Sequence, residues 1–328
     1  MKTCYETELG FACCGDSREL IAQLRDESVN LVVTSPPFAL QRQKEYGNVK
    51  QEAYIDWLAQ FGRLVYKKLR GDGSFVLDLG GSYHKGTPAR SLYNFRTLIK
   101  LCDEVGFFLA EDFYWFNPSK LPSPIEWVNK RKMRAKDAVN TVWWLSKTPW
   151  PKANVSKVLT PYSERMKKLL RDPASYYRPK VRPSGHDIGT GFAQDNGGAI
   201  PSNLLQIPNS ESNGQYARLC KLAGSDTHPA RFPEGLPEFF IRFLTTPGDL
   251  VLDIFAGSNT TGAVAERLGR HWIAFEERLD YVATSLFRFL PDDVSDINAM
   301  EAEQRILKDE SVHISSYVQQ RSLRAAGN

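Results

Sequence analysis

Cysteine is scarce in this chain of 328 residues. Cys4, Cys13, Cys14, Cys102 and Cys220 are odd in number, two are adjacent, and no Cys-x-x-Cys pair occurs. That argues against a disulfide framework and against a zinc site, and it fits a reducing cytoplasm. No run of about 18 apolar residues exists, so no transmembrane helix and no membrane partner are expected. Residues 1–10 carry Glu6 and Glu8 and lack an apolar core, so they do not read as a secretion signal. Internal repeats and low-complexity tracts are absent. So is the Gly-x-Gly-x-x-Gly fingerprint, which speaks against a pyrophosphate cradle for a dinucleotide.

Acidic residues run short in one place. Residues 117–182 hold 16 Lys and Arg against 4 Asp and Glu, an excess of +12, while the rest of the chain sums to −8. A basic segment in an acidic remainder reads either as a polyanion-binding surface or as a solvated helix face.

What is present is βαβ rhythm. Residues 11–14, 29–34 and 75–79 read as strands, with helical periodicity at 17–24 and 54–69 between them, so a parallel sheet covered by helices is expected. From about 117 to 226 prolines and glycines break the pattern, apart from a helical stretch at 162–170. This segment reads as a loop-rich insertion. The rhythm returns at about 227, with helices at 236–244 and 260–268 and strands at 249–255 and 271–275. The chain beyond Asp292 reads as a peripheral helix with a frayed tail. The fold class is therefore α/β, a doubly wound Rossmann-like sheet with an inserted loop-rich region. Its parts are 11–118, an insertion at 119–226, a second half at 227–290 and a peripheral tail at 291–328.

Two motifs carry chemistry. In the first, a buried strand runs through Asp253, Ile254 and Phe255 into the small-residue turn Ala256, Gly257, Ser258, Asn259 and on to a helix opening at Thr260. Small residues let a ligand approach the backbone, and the helix start offers free N–H donors. A second strand ends at Glu276, where an acid reaches the ribose hydroxyls of a nucleoside cofactor. In the second motif, Thr34-Ser35-Pro36-Pro37-Phe38 follows an apolar strand. The prolines end the ladder and fix an extended turn that projects the Ser35 hydroxyl, the Pro36 carbonyl and the Phe38 ring. Asp78, closing the strand at 75–79, is either an acceptor for the Ser35 proton or a helix cap. Trp115 is either a stacking surface or core.

Taken together, the motifs resemble those of the β-group amino-methylating DNA methyltransferases, in which Ser-Pro-Pro marks the cytosine-N4 branch and Asp or Asn before Pro-Pro-Tyr the adenine-N6 branch. Asn259 departs from the pattern, standing where many members have a second glycine. His228-Pro-Ala-Arg-Phe232-Pro resembles the segment around the methionine end of the cofactor, and Gly15-Asp16-Ser17 the motif that contacts its adenine. The catalytic motif precedes the cofactor motif, which is the β arrangement. Residues 39–42, 113–118 and 183–189 look like the PvuII-type modification methylases.

The resemblance implies S-adenosylmethionine as cofactor and double-stranded DNA as substrate. It implies target recognition by 119–226 and methylation of the inner cytosine of CAGCTG, in a restriction-modification system with a cognate endonuclease. It assigns catalysis to Ser35, Pro36, Pro37, Phe38 and Asp78. Cofactor binding falls to Asp16, His228, Phe232, Asp253, Phe255, Gly257, Ser258, Asn259, Thr260 and Glu276. DNA contact falls to Arg42, Lys44, Trp115, Arg182, His186 and Asn213. A target base inside a duplex must be flipped out to reach such a site. Methylation at cytosine C5 needs a Pro-Cys nucleophile, and no cysteine here follows a proline. The competing readings are an adenine-N6 enzyme, a silent DNA-binding protein on the same scaffold, and an RNA or small-molecule methyltransferase.

Overall fold

The computed structural model describes residues 1–39, 51–173, 183, 194–210 and 214–317. Ten strands form one sheet: β1 (Tyr5–Glu6), β2 (Gly10–Cys14), β3 (Val29–Thr34), β4 (Leu69–Leu79), β5 (Phe108–Phe116), β6 (Val139–Ser146), β7 (Leu204–Gln206), β8 (Leu250–Asp253), β9 (His271–Glu276) and β10 (Val312–His313). Their order is β10-β1-β2-β9-β8-β3-β4-β6-β5-β7. The inner run β2-β9-β8-β3-β4 is parallel throughout. Its strands are buried on both faces, which is why 29–34 and 250–254 are almost continuously apolar. In such a sheet ligands gather at the carboxyl ends of the strands. Here those ends bring together the residues around Cys14, Glu276, Asp253, Thr34 and Leu79.

The helix α1 (Ser17–Ala22) starts where Asp16 accepts the Arg18 N–H. The long helix α2 (Gln51–Lys68) buries Tyr54, Leu58, Phe61 and Val65, spaced as one helical face, in the core beneath the sheet. The strand read at 249–255 ends at Asp253, because that side chain turns back to accept the Phe255 N–H.

Two stretches differ from the sequence reading. Val139–Ser146 lies inside the sheet, antiparallel between β4 and β5, although 119–226 read as one insertion. Prolines on both sides obscured a strand that pairs with the preceding strand β5 on one edge and with the distant β4 on the other. The chain divides into two compact units, of which the smaller is Asn154–Ser202. Within it a helix at Glu164–Arg171 is capped by Ser163, and Thr160 bridges Ala199. The basic excess divides accordingly: residues 117–153 and 154–182 each hold 8 Lys and Arg against 2 acids. In the first group Lys147 pairs with Glu27 and Lys152 with Asp249, so these two cations serve the fold.

The second difference is the tail. Asp296–Leu307 buries Ala299, Ala302 and Ile306, and Val312–His313 pairs with β1, so the chain to 317 completes the sheet edge and is not peripheral. Among the described residues no helix is long and apolar enough to cross a membrane, and no cluster of His, Cys, Asp or Glu could hold a metal ion.

Candidate active site

Ser35, Pro36, Pro37, Phe38, Asp78 and Trp115 line one cavity of about 500 Å³ together with Asp16, His228, Phe232, Phe255 and Glu276. The two motifs, more than 200 residues apart, thus share one space because β3 and β8 are neighbours in the sheet.

At the β3–β4 end, Ser35 Oγ donates to Asp78 Oδ2 at 3.1 Å. Asn140 Nδ2 donates to the other carboxylate oxygen, Oδ1, at 3.2 Å. Asp78 is buried, and burial pushes its pKa up to about 6, against the two hydrogen bonds and the nearby Lys120 charge. No helix begins after it until Tyr93, so the capping alternative does not hold. Phe38 packs over Gly80, where a Cβ would stand 2.4 Å from the ring. Trp115 is buried, donates from Nε1 to Ile207 O at 2.8 Å, and still presents an edge to the cavity, so both alternatives apply to it.

At the β2–β9–β8 end, Glu276 accepts from the backbone of Gly257 at 2.9 Å and of Arg278 at 3.0 Å. Burial raises its pKa, and these N–H groups oppose the rise. Gly257 has φ of +52°, and a Cβ on it would meet the His228 ring at 3.0 Å. Burial and the Arg231 charge push the His228 pKa down to about 4, so the ring is neutral, and its Nδ1 accepts from Ala230 N. Trp57, Phe61 and Phe255 form an aromatic wall with centroids 4.8–5.6 Å apart. Asp16 is held by Arg18, whose hydrogen bonds lower its pKa.

Several of the assigned residues lie away from the cavity lining. Asp253 does not line the cavity. Its oxygens accept from Thr34 at 2.6 Å, Thr261 at 2.7 Å and Phe255 N at 3.1 Å, so it pins the two motif turns to each other. Gly257, Ser258, Asn259 and Thr260 are buried and also lie outside the lining. Asn259 takes a left-handed φ of 53° and caps the helix Thr260–Arg267 through Gly262 N, while its Nδ2 donates to Tyr5 Oη. Asparagine tolerates that conformation, which explains its standing where glycine is usual. Arg42, Lys44, Arg182, His186 and Asn213 lie outside the described residues.

Sequence reasoning missed Asn140 and Lys120, which also line the cavity and sit in the segment assigned to the insertion. Asn117, from the 113–118 motif, and Asn209, a side chain suited to base edges, line it too. Sequence reasoning also missed Trp57 and Phe61, whose four-residue spacing on α2 reads as core.

A family of DNA methylases matches residues 29–287. This chain belongs to the DNA methylase family. The methylase is 64% identical over 317 residues to the Type II methyltransferase M.PvuII of Proteus hauseri, covering 97% of this chain and 94% of that one. It is 25% identical over 268 residues to the Type II methyltransferase M.BglII of Bacillus subtilis, covering 82% and 65% of the two chains. Among solved structures it matches the PvuII DNA methyltransferase (cytosine-N4-specific) with a TM-score of 0.79 and 57% identity, covering 95% of this chain and 98% of that one.

The methylase uses S-adenosylmethionine, and the cavity suits it. Glu276 keeps carboxylate lone pairs for ribose hydroxyls beyond those taken by the two N–H groups. The Trp57–Phe61–Phe255 wall offers flat apolar surface to a purine. Gly257 leaves the space between turn and His228 that any Cβ would fill.

Proposed function

We propose that the methylase acts on the exocyclic N4 of cytosine in duplex DNA, at the inner cytosine of CAGCTG, as the modification arm of a bacterial restriction-modification system. The observation that carries this reading is the Ser35–Asp78 hydrogen bond at the cavity. Ser35 commits its proton to Asp78, which leaves the Ser35 lone pairs facing outward as acceptors. Cytosine N4 is a weak nucleophile because its lone pair is delocalised into the ring. Two acceptors aimed at its N–H groups, Ser35 Oγ and the Pro36 carbonyl, draw that pair back onto nitrogen. Bound S-adenosylmethionine supplies an electrophilic methyl on a sulfonium; the N–C bond forms as the C–S bond breaks, and sulfur keeps the electron pair. The proton released from N4 passes to Ser35 Oγ as the Ser35 proton passes to Asp78. Holding donor and acceptor in line supplies much of the remaining rate. Phe38 and Trp115 flank the acceptor end and serve a flipped base as stacking surfaces.

Target recognition falls to Asn154–Ser202 with the flanking basic residues. Their phosphate contacts make affinity fall by orders of magnitude between about 50 and 200 mM salt, and a flat dependence would remove them from the interface. The deciding experiment methylates a plasmid exhaustively in vitro, challenges it with a CAGCTG-cutting endonuclease, and analyses the nucleosides. Protection with N4-methylcytosine is expected. Label in the DNA with full cutting would discard the site and keep the chemistry, and N6-methyladenine would discard the cytosine reading.

A further inference from the structure

The geometry points to Asn140 as a positioning residue for the transfer: its side-chain amide holds the Asp78 carboxylate in the orientation and charge state that accept the Ser35 proton. This inference rests on the reading of Ser35 as an acceptor for the substrate amine.

The placement follows from the sheet. β4 and β6 run antiparallel with Asp78 opposite Val142. Opposite residues share a face, and so do residues two apart on one strand. Asn140 is therefore the diagonal neighbour of Asp78 on the same face, one step closer to the cavity that both residues line. Carboxylate oxygens can only accept, so the 3.2 Å contact fixes which end of the amide faces Asp78. Ser35 holds Oδ2 and Asn140 holds Oδ1, and with both oxygens tied the carboxylate plane cannot turn. Gly80 completes the arrangement, since a Cβ there would stand 3.1 Å from Asn140 Oδ1 and closer still to Phe38.

A hydrogen bond to the charged form favours ionisation. Asn140 and Ser35 both oppose the upward pull of burial on Asp78, and the Lys120 charge adds to them. The other titratable groups facing Asp78 are the phenols of Tyr54 and Tyr93, whose pKa values burial raises, so they stay neutral. Without Asn140 the carboxyl keeps its proton to higher pH. A protonated Asp78 cannot take up the Ser35 proton.

The test is single-turnover methyl transfer by the full chain to a CAGCTG duplex between about pH 5 and pH 8.5. Asn140→Leu keeps the volume and removes the donor. Its acid limb should move up by about one unit, with S-adenosylmethionine affinity unchanged. Added to Asp78→Asn, the same substitution should cost under about threefold more, because residues acting as a unit are non-additive. An unmoved acid limb, or an equal loss in both backgrounds, overturns the inference. Asn140→Ser, a smaller change, decides the same question if the leucine variant fails to fold. Wild-type protein that makes no N4-methylcytosine refutes the functional reading instead, and the acid limb still decides Asn140 for whatever base is methylated.

Discussion

The two ends of the cavity each hold a carboxylate, buried at Asp78 and half-buried at Glu276, and they hold it differently. Glu276 is gripped by main-chain N–H groups of Gly257 and Arg278. Asp78 is gripped by side chains, Ser35 and Asn140. A backbone cradle survives most substitutions around it, whereas a side-chain relay fails when one member is changed. Substitutions should therefore act differently at the two ends, and variants can be ordered by which end they strike.

The sharpest break is Ser35→Ala. Loss of one transition-state hydrogen bond costs roughly 3 kcal/mol, about a hundredfold in single-turnover rate, while calorimetry should find cofactor affinity near normal. A wild-type rate would take the acceptor end out of the mechanism. Glu276→Ala strikes the opposite end. It should weaken S-adenosylmethionine binding by about tenfold or more, as expected for hydrogen bonds to a charged group, and leave DNA affinity largely intact. Calorimetry showing unchanged cofactor affinity would place the ribose elsewhere.

The pH dependence separates the ends again. As pH falls through about 6, Asp78 takes up a proton and the relay stops, so turnover should fall on the acid side. Burial raises Asp253 to about 6 as well. For both groups the folded pKa lies above the ordinary value, so ionisation costs stability above about 6. That cost is relieved as pH falls from there toward the ordinary carboxylate range. The destabilising contribution of these two groups should therefore shrink while activity is being lost. Melting curves tracking the activity loss would show that unfolding, not the relay, sets the acid limb.

The smallest effect belongs to the tie between the ends. Thr261→Val removes one of three donors to Asp253 and should cost about 1–2 kcal/mol of stability by denaturant titration. Both the rate and the cofactor affinity of the folded variant should change little. A tenfold change in cofactor affinity would return Asp253 to the binding site.

Much of this was legible before any coordinates. The Ser-Pro-Pro turn and the Glu276 strand end announce themselves because each depends on a local run: an apolar strand, then residues that stop it. Asp253 and Asn259 were legible as part of a motif but not in their roles. A motif shows which residues recur around a turn and not which of them face the ligand. Asn140 and the strand carrying it were illegible, since the pairing of Val139–Ser146 with β4 reaches more than 60 positions back and its flanks look like loop.

The sequence by itself determined the βαβ rhythm, the order of the two motifs and the Ser-Pro-Pro turn at the end of its strand. These follow from apolar periodicity and from turn residues acting within a few positions. Only the tertiary structure decided which donors complete the Asp78 relay, which aromatic rings leave the core to face the cavity, and where the inserted unit begins. Those outcomes depend on antiparallel register and on which strands become neighbours, both set by burying distant segments against each other and not by any local pattern.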